Sequence, residues 1–292
     1  MQSSYLLINE LRVHYLRWNR GGSRLPVVLL HGLASNARIW ELVAPHLVDA
    51  DHDVLALDLR GHGLTDKPDG DYGFDTFHRD LAGFIDALDL ERPLLVGHSW
   101  GASLALDYAA RKSIGSRSPS GIVLVDGGMS QLDQVPGATW ESTRQRLTPP
   151  RLAGMPVDAF VERVQNANSR WQPDDQAIQI ILANFDIRED DTISPRLSIE
   201  HHMQIVSAMW EFKTYERYDQ LRCPVALAPA RPPAPRSQAE AEFLASKEQG
   251  LARIQSHHPG VKVYWQEDTI HDIPLQSPAE LAQLIVQFAA SL

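Results

Sequence analysis

The 292-residue sequence predicts an α/β fold with a mostly parallel central sheet flanked by helices. Short, continuous apolar runs, of the kind found in strands buried on both faces, alternate along the chain with segments of helical periodicity. This spacing is typical of βαβ units, in which crossover helices cover both faces of a parallel sheet. We therefore expect the functional site at the carboxyl ends of the strands.

The first half of the chain supplies most of the predicted sheet. Tyr5–Ile8 and Val13–Trp18 predict two short strands, and the alternating pattern of the second favours an antiparallel start. Further strands are predicted at Pro26–Leu30, Asp53–Leu57, Pro93–Val96 and Gly121–Val125, and helices at Ile39–Leu47, Asp75–Leu88 and Ala102–Arg111.

The pattern changes between about Gly128 and Tyr218, where no buried strand is predicted. The βαβ pattern resumes after this segment and runs to the end of the chain. Within the segment, helices are predicted at Asp158–Val164, Asp174–Phe185 and Arg196–Tyr215. After the segment we expect a strand at Val225–Ala228 and a helix at Ser237–Gln255 with a weak point at Gly250. A strand at Val261–Trp265 and a closing helix at Pro278–Ser291 complete the predicted elements.

The sequence Gly97-His98-Ser99-Trp100-Gly101 joins a predicted strand to a predicted helix. A serine between two glycines at such a turn predicts a nucleophile elbow, in which a strained turn lifts the hydroxyl clear of the sheet. A Cβ at Gly97 or Gly101 would collide with the neighbouring strand or helix. The helix start adds partial positive charge, which favours an oxyanion forming beside Ser99.

Three further motifs accompany the elbow: Leu29-Leu30-His31-Gly32-Leu33, Asp58-Leu59-Arg60-Gly61-His62-Gly63-Leu64-Thr65-Asp66, and His271 after the last predicted strand. Together the motifs resemble the α/β-hydrolase family over nearly the whole chain apart from the middle. The resemblance implies an α/β-hydrolase fold with an inserted helical cap over the active site. The implied domains are residues 1–127 as the first part of the core, 128–218 as the cap and 219–292 as the second part of the core.

The helical segment is rich in large apolar side chains, which in a cap would partly line the site. Most apolar residues at helical spacing pack in a core, so we expect only about a third of them to touch substrate. The candidates are Trp140, Phe160, Trp171, Phe185, Met203, Met209, Trp210 and Phe212. Of these, we predict that four contact the substrate: Trp140, Trp171, Met209 and Trp210. The other predicted substrate residues, outside the segment, are His31, Gly32 and His98.

The expected chemistry is that of a serine nucleophile. Serine is a weak nucleophile at neutral pH, so it needs a base, and the base needs an orienting carboxylate. The resemblance implies Ser99 as the nucleophile and His271 as the base. The backbone N–H groups of Leu33 and Trp100 are the expected oxyanion hole.

The acid departs from the family pattern. The family usually carries its aspartate just after the strand that here is Val225–Ala228, but no carboxylate follows that strand before Glu240. Some members place the acid after the preceding strand, where this chain has Asp126, and we expect Asp126 to complete the triad. Glu267 or Asp268, just before His271, are the alternatives, and a site without an acid is a third interpretation.

Several other polar residues are predicted to be structural. His98 is expected to pack or to position a loop, Asp58 to anchor the loop Arg60–Gly63, and Asp80 to have a similar task. We expect no metal, because the adjacent histidine pairs have no third ligand in view. These pairs are His201-His202 and His257-His258. We also expect no cofactor, because catalysis by a serine nucleophile and a histidine base needs none.

Composition limits the partners and the compartment. A formal net charge of -10 argues against nucleic acid and anionic membranes, because both require a basic patch. Cys223 is the single cysteine, and we expect it to be a small buried hydrophobe rather than half of a disulfide. The N-terminus lacks the basic region of a signal peptide, and no segment approaches the ~20 apolar residues of a membrane span. A cytoplasmic monomer or homodimer is predicted.

The sequence therefore predicts a serine hydrolase that cleaves a small hydrophobic carboxylic ester or lactone through an acyl-enzyme. Dehalogenase and epoxide-hydrolase chemistry are disfavoured, because they form an ester with a carboxylate of the enzyme. Two alternatives stay open at this point. One is cleavage of a carbon–carbon bond or an amide by the same residues, and the other is a ligand-binding protein that has lost turnover.

Overall fold

The computed structural model describes residues 1–112, 114–167 and 170–292, and across these residues its centre is an eight-stranded sheet. The strands are β1 (Gln2–Ile8), β2 (Leu11–Trp18), β3 (Val27–Leu30), β4 (Val54–Leu57), β5 (Leu94–His98), β6 (Gly121–Val125), β9 (Val225–Ala228) and β11 (Lys262–Val263). Their order in the sheet is β1-β2-β4-β3-β5-β6-β9-β11.

The sheet is antiparallel at one edge and parallel elsewhere. Strand β2 pairs antiparallel with β1 and β4, whereas β4, β3, β5, β6, β9 and β11 pair in parallel. Every residue of the five central parallel strands is buried, as the continuous apolar runs predict. The predicted α/β class and the antiparallel start are confirmed.

Helices cover both faces of this sheet, and alternate strand residues pack into two separate cores. Val28 and Leu30 of β3 belong to one core, and Val27 and Leu29 belong to the other. The helices outside the middle segment are α1 (Ala44–Asp49), α2 (Phe74–Ala87), α3 (Trp100–Arg111), α9 (Gln238–His257), α10 (Ile273–Gln276) and α11 (Pro278–Ala289). Helices α2, α3 and α9 pack in the first core, and α1 and α11 in the second.

The middle segment is mostly helical and has a small core of its own. Phe160, Ile178 and Ile193 are buried together there. The elements are α4 (Trp140–Leu147), α5 (Val157–Asn166), α6 (Asp175–Leu182), β7 (Phe185–Ile187), β8 (Ile193–Pro195), α7 (Ile199–Glu211) and α8 (Thr214–Gln220). The domain limits at 128 and 218 stay a prediction.

Two predictions for this segment are wrong in detail. The helix predicted at Asp174–Phe185 ends early, because Phe185 begins β7, which forms a short antiparallel hairpin with β8. Most residues of this hairpin are not buried, so it does not contradict the prediction that the segment has no buried strand. The single helix predicted at Arg196–Tyr215 breaks after Glu211, because Phe212 takes an extended conformation and stacks on Phe74, with ring centroids 3.9 Å apart.

Two further predictions differ near the ends of the chain. The helix predicted at Ile39–Leu47 is a 3-10 turn, Ala37–Trp40, followed by α1. The strand predicted at Val261–Trp265 divides into β11 and β12 (Gln266–Glu267), because the chain leaves the main sheet and pairs with β10 (Ala230–Arg231).

Helix α9 does not weaken at Gly250. It runs unbroken past this residue, and a Cβ placed there would lie only 2.1 Å from the backbone oxygen of Met129. The glycine therefore lets α9 approach the chain just after β6. Among the residues with described structure, no helix is both long and apolar enough to cross a membrane.

Candidate active site

Ser99 occupies the sharp turn between β5 and α3. Its backbone has φ 54° and ψ −116°, a strained conformation for a residue with a side chain. A Cβ on Gly97 would lie 2.2 Å from the backbone oxygen of Gly101, and one on Gly101 would lie 2.4 Å from the backbone oxygen of Leu30. The predicted geometric reason for both glycines is confirmed.

Asp126 and His271 are brought together from distant parts of the chain. Asp126 directly follows β6, and His271 lies in the loop between β12 and α10. The His271 Nδ1–H donates to Asp126 Oδ2 at 2.6 Å. This bond fixes the tautomer of the imidazole and leaves Nε2 as a proton acceptor.

The second oxygen of Asp126 is held by two other donors. Asp126 Oδ1 accepts a hydrogen bond from Ala230 N at 2.9 Å and from Lys247 Nζ at 2.7 Å. Ala230 lies just after β9, where the resembling family usually carries its acid. In this chain that position has no acidic side chain, and its backbone N–H binds the carboxylate of Asp126 instead.

The alternative acids lie elsewhere. Glu267 pairs with Arg231 at 2.8 Å and is 57% exposed, and Asp268 is exposed. In the described part of the chain neither carboxylate forms a hydrogen bond or ion pair with His271. The geometry therefore favours Asp126 among the candidates.

Charge and burial act against each other in this pair. Burial alone would raise the pKa of Asp126, but the hydrogen bond and charge of His271, together with Lys247, hold that pKa at about 2. Burial pulls the pKa of His271 down, but Asp126 and the charge of Asp272 outweigh it and raise the pKa above its ordinary value. The His271 side chain is 46% exposed, so the Asp126 contact outweighs burial in setting its pKa.

Ser99 and His271 line one cavity of about 430 Å³. Among the described residues no hydrogen bond joins Ser99 Oγ to His271, although both side chains face the same cavity. The lining is mostly aliphatic and contains no lysine or arginine among the described residues. The lining residues are Gly32, Leu33, Ala34, Ser35, Ile39, His98, Ser99, Val164, Ala167, Trp171, Ile180, Ile181, Asn184, Ile270, His271, Asp272 and Leu275.

The expected oxyanion donors lie beside this cavity. Leu33 is in its wall, and Trp100 is the first residue of α3, directly after Ser99. Within the described ranges neither backbone N–H has a protein acceptor. Both are therefore available to an oxygen that develops negative charge.

His98 ties the elbow to the histidine loop. Its Nε2–H donates to the backbone oxygen of His271 at 2.9 Å, which agrees with the predicted positioning task. Burial and the neighbouring His271 lower the pKa of His98 to about 4. His98 is therefore neutral at neutral pH.

Of the predicted substrate residues, the structure places Gly32, His98 and Trp171 at the cavity. His31 is buried behind it, where its Nδ1–H donates to Gly32 O at 2.7 Å and its Nε2 accepts from Leu59 N at 3.0 Å. Trp140, Met209 and Trp210 are not in the lining.

Packing explains why most of the large candidates are absent from the cavity. Trp140 packs near Trp210, with ring centroids 6.1 Å apart, and Met209 packs against the first core. The side chains that this segment does supply are mainly small or aliphatic. Of the eight cap candidates only Trp171 lines the cavity; Phe160, Phe185, Met203 and Phe212 do not.

Two carboxylates brace the loop after β4, as predicted. Asp58 accepts from Ala37 N at 2.7 Å and from Leu64 N at 2.8 Å. Asp80 forms a two-point ion pair with Arg60, at 2.7 and 2.9 Å. Across the described chain no group of three or more His, Cys, Asp or Glu residues is arranged to hold a metal ion.

Lys247 is the site residue that sequence reasoning missed. It lies on α9, 121 positions from Asp126, and its side chain is almost fully buried. A lysine in a long polar helix is normally solvent-exposed, so the sequence holds no local signal for this contact.

A family model with the description α/β hydrolase fold matches residues 26–153 of the chain. N-formylmaleamate deformylase of Pseudomonas putida is 40% identical over 123 residues, which are 42% of this chain and 44% of that protein. Haloalkane dehalogenase of Mesorhizobium japonicum is 41% identical over 92 residues, which are 32% of this chain and 29% of that protein. The chain thus spans less than half the length of these curated relatives.

Among solved structures, E-2-(acetamidomethylene)succinate hydrolase superposes with a TM-score of 0.77 over 99% of both chains, at 21% identity. This likeness shows a common fold over the whole length of the chain. With the family match over residues 26–153 and the serine elbow between β5 and α3, it shows that the chain has the α/β-hydrolase fold.

Proposed function

We propose that this protein is a serine hydrolase that cleaves a neutral, largely apolar carboxylic ester or lactone. The observation that carries the proposal is the 2.6 Å hydrogen bond from His271 to Asp126, at a cavity that Ser99 also lines. The contact orients an imidazole whose free nitrogen serves as a general base.

In the proposed mechanism, Ser99 Oγ attacks the carbonyl carbon while His271 Nε2 takes the hydroxyl proton. The backbone N–H groups of Leu33 and Trp100 stabilise the oxyanion, and His271 then protonates the leaving group. A water molecule, activated by the same imidazole, hydrolyses the acyl-enzyme. Asp126 stays ionised throughout and stabilises the imidazolium.

The cavity supports a neutral substrate. Its described lining offers Ile39, Ile180 and Leu275 for apolar contact, and it contains the carboxyl group of Asp272 but no lysine or arginine. A carboxylate-bearing substrate would be desolvated without a charged partner. We therefore propose a small hydrophobic molecule as the binding partner, and neither nucleic acid nor a membrane.

Amide hydrolysis is the second candidate. The relative named N-formylmaleamate deformylase shares 40% identity over part of the chain, and its name indicates an N-acyl substrate. The same nucleophile and base serve amides and esters. The described part of the lining contains no lysine or arginine, which argues against that anionic substrate here.

The test is turnover on matched p-nitrophenyl esters, anilides and lactones of increasing acyl length, with Ser99→Ala as the blank. We expect ester or lactone turnover that Ser99→Ala abolishes. Faster cleavage of anilides than of esters would favour the second candidate.

A fluorophosphonate probe separates enzyme from binder. We expect the probe to label Ser99. The control variant Ser103→Ala, which changes a serine one turn along α3, should be labelled to the same extent as the wild type. A folded protein whose Ser99 is not labelled would favour a ligand-binding protein without turnover.

A further inference from the structure

We propose that Lys247 is a positioning residue for the Asp126–His271 pair: its ammonium group fixes the carboxylate and balances its charge inside the protein. The inference rests on the proposed function, because it assigns Lys247 a task within that site. Lys247 does not line the cavity and does not touch the reacting atoms.

The orientation of Asp126 follows from its donors. Oδ1 is occupied by Lys247 Nζ at 2.7 Å and by Ala230 N at 2.9 Å, so Oδ2 is left to His271. A carboxylate held at both oxygens cannot rotate away from the imidazole. Removing Lys247 leaves one neutral donor on Oδ1, and the carboxylate gains rotational freedom.

The charge balance follows from burial. The Asp126 side chain has no exposed surface and that of Lys247 is 5% exposed. A charge at such depth requires a partner, because burying it alone is strongly unfavourable. Lys247 also donates to Ala230 O at 3.1 Å and lies 4.5 Å from the centre of the Phe243 ring, so it is held on three sides.

Helix α9 can deliver this lysine because of Gly250. Lys247 and Gly250 are three positions apart and therefore lie on the same side of the helix. A side chain at 250 would meet the backbone oxygen of Met129 at 2.1 Å and push α9 away from the chain that follows Asp126. The close approach of α9 at Gly250 therefore allows Lys247 to reach Asp126.

The consequence concerns protonation of His271. With Lys247 present, the negative charge of Asp126 and the positive charge of Lys247 cancel. A proton on His271 then adds a net positive charge to the cluster. The other ionisable groups facing the imidazole are Asp272, which favours its protonation, and His98, which is neutral. Lys247 thereby opposes protonation of His271 and keeps the free base present at lower pH.

The experiment measures the His271 pKa by NMR titration of labelled histidine, assigned with His271→Gln. This readout does not depend on turnover, so it remains valid if the proposed function fails. The variants are Lys247→Met, Asp126→Asn and the double variant Asp126→Asn with Lys247→Met. Lys262→Met, at an exposed lysine on β11, is the matched control.

We expect the His271 pKa to rise by about one pH unit in Lys247→Met and to stay unchanged in Lys262→Met. The acid limb of kcat/KM for any substrate that is turned over should move by the same amount, with kcat about tenfold lower because the carboxylate is less well oriented. A lysine that only stabilises the fold would lower Tm without moving this pKa.

The double variant keeps the proposal testable if Lys247→Met does not fold. In Asp126→Asn the lysine charge is uncompensated and depresses the His271 pKa; the double variant removes that charge and should restore a higher value. An equal His271 pKa in these two variants, or an unchanged one in folded Lys247→Met, would overturn the proposal.

Discussion

His98 Nε2 lies 2.9 Å from the backbone oxygen of His271 and donates a hydrogen bond to it. The residue before the nucleophile therefore holds the loop that carries the base. Its other ring nitrogen, Nδ1, is buried and has no hydrogen-bond partner among the described residues. The elbow thus fixes both the Ser99 hydroxyl and the backbone beside the imidazole, because His98 ends β5 and Ser99 follows it directly.

The pH dependence of hydrolysis should show one acid limb. His271 must be neutral to act as a base, and its pKa is raised above 6.5, chiefly by Asp126 against the opposing effect of burial. We expect kcat/KM to increase with pH through a single ionisation with a midpoint above 6.5 and then to reach a plateau. The pKa of His98 is about 4, so this residue adds no step above pH 5. A midpoint below 6.5, or a second limb between pH 5 and 6, would contradict this assignment.

Gly127 should be required for the shape of the elbow. A Cβ at this position would lie 2.2 Å from the backbone oxygen of Ser99, whereas one at Gly260 would meet no atom within 4 Å. We expect Gly127→Ala to lower the free energy of unfolding by about 2–4 kcal/mol, because backbone must shift. Gly260→Ala, the matched control, should change it by less than about 0.5 kcal/mol. Urea denaturation measures both free energies of unfolding. Equal effects would show that the close approach of position 127 to the backbone oxygen of Ser99 does not constrain the elbow.

Buried histidines should make the protein sensitive to acid. Burial, with the neighbouring His31, lowers the pKa of His62 to about 3, against about 6.5 in an unfolded chain. Below pH 6.5 the unfolded chain binds a proton that folded His62 does not, so this contribution to stability is lost progressively as the pH falls. At pH 5 the loss is about 2 kcal/mol relative to pH 7.

Urea denaturation at pH 7 and pH 5 tests this contribution in two variants. His62→Gln should remove about 2 kcal/mol of the pH dependence. The exposed residue His46, changed to Gln, should leave the dependence as in the wild type. The same pH dependence in both variants would show that His62 does not contribute to it.

Trp171 should set the size of the accepted acyl group. It lines the cavity, whereas Trp210 packs near Trp140 outside it. We expect Trp171→Ala to lower kcat/KM for short-chain esters about tenfold, because the acyl group loses its apolar contact with the indole. The preference should shift to longer acyl chains, because these can fill the space that the indole leaves in the cavity. Trp210→Ala should change kcat/KM less than twofold. A larger effect from Trp210 would show that the catalytically relevant pocket differs from this cavity.

Prediction from the sequence succeeds where the signal is local. Gly121–Val125 and Val225–Ala228 are strands over the predicted bounds, because a short apolar run buried on both faces needs no information from elsewhere. The elbow glycines are predictable for the same reason, since their constraint comes from adjacent residues. Asp126 is predictable as the partner of His271 because it follows a buried strand of the predicted parallel sheet, and because some members of the family that the sequence resembles carry the acid there.

Prediction fails where distant contacts decide. Phe212 breaks a helical pattern because it stacks on Phe74, and nothing in its own neighbourhood signals that contact. Most large residues of the middle segment were candidates for the cavity because of their size, yet they pack elsewhere: Trp140 lies near Trp210, and Met209 packs against the first core. Lys247 is the clearest case, because its burial depends on the close approach at Gly250 to a chain segment more than a hundred residues away.

The central claim is that Asp126, the acid after β6, orients His271 for catalysis by Ser99. The most direct test is kcat on the best ester in Asp126→Asn beside Asp268→Asn, an exposed carboxylate close to His271 in sequence. We predict that Asp126→Asn lowers kcat by roughly three orders of magnitude and that Asp268→Asn leaves it within about twofold. Similar, small losses in the two variants would contradict the claim.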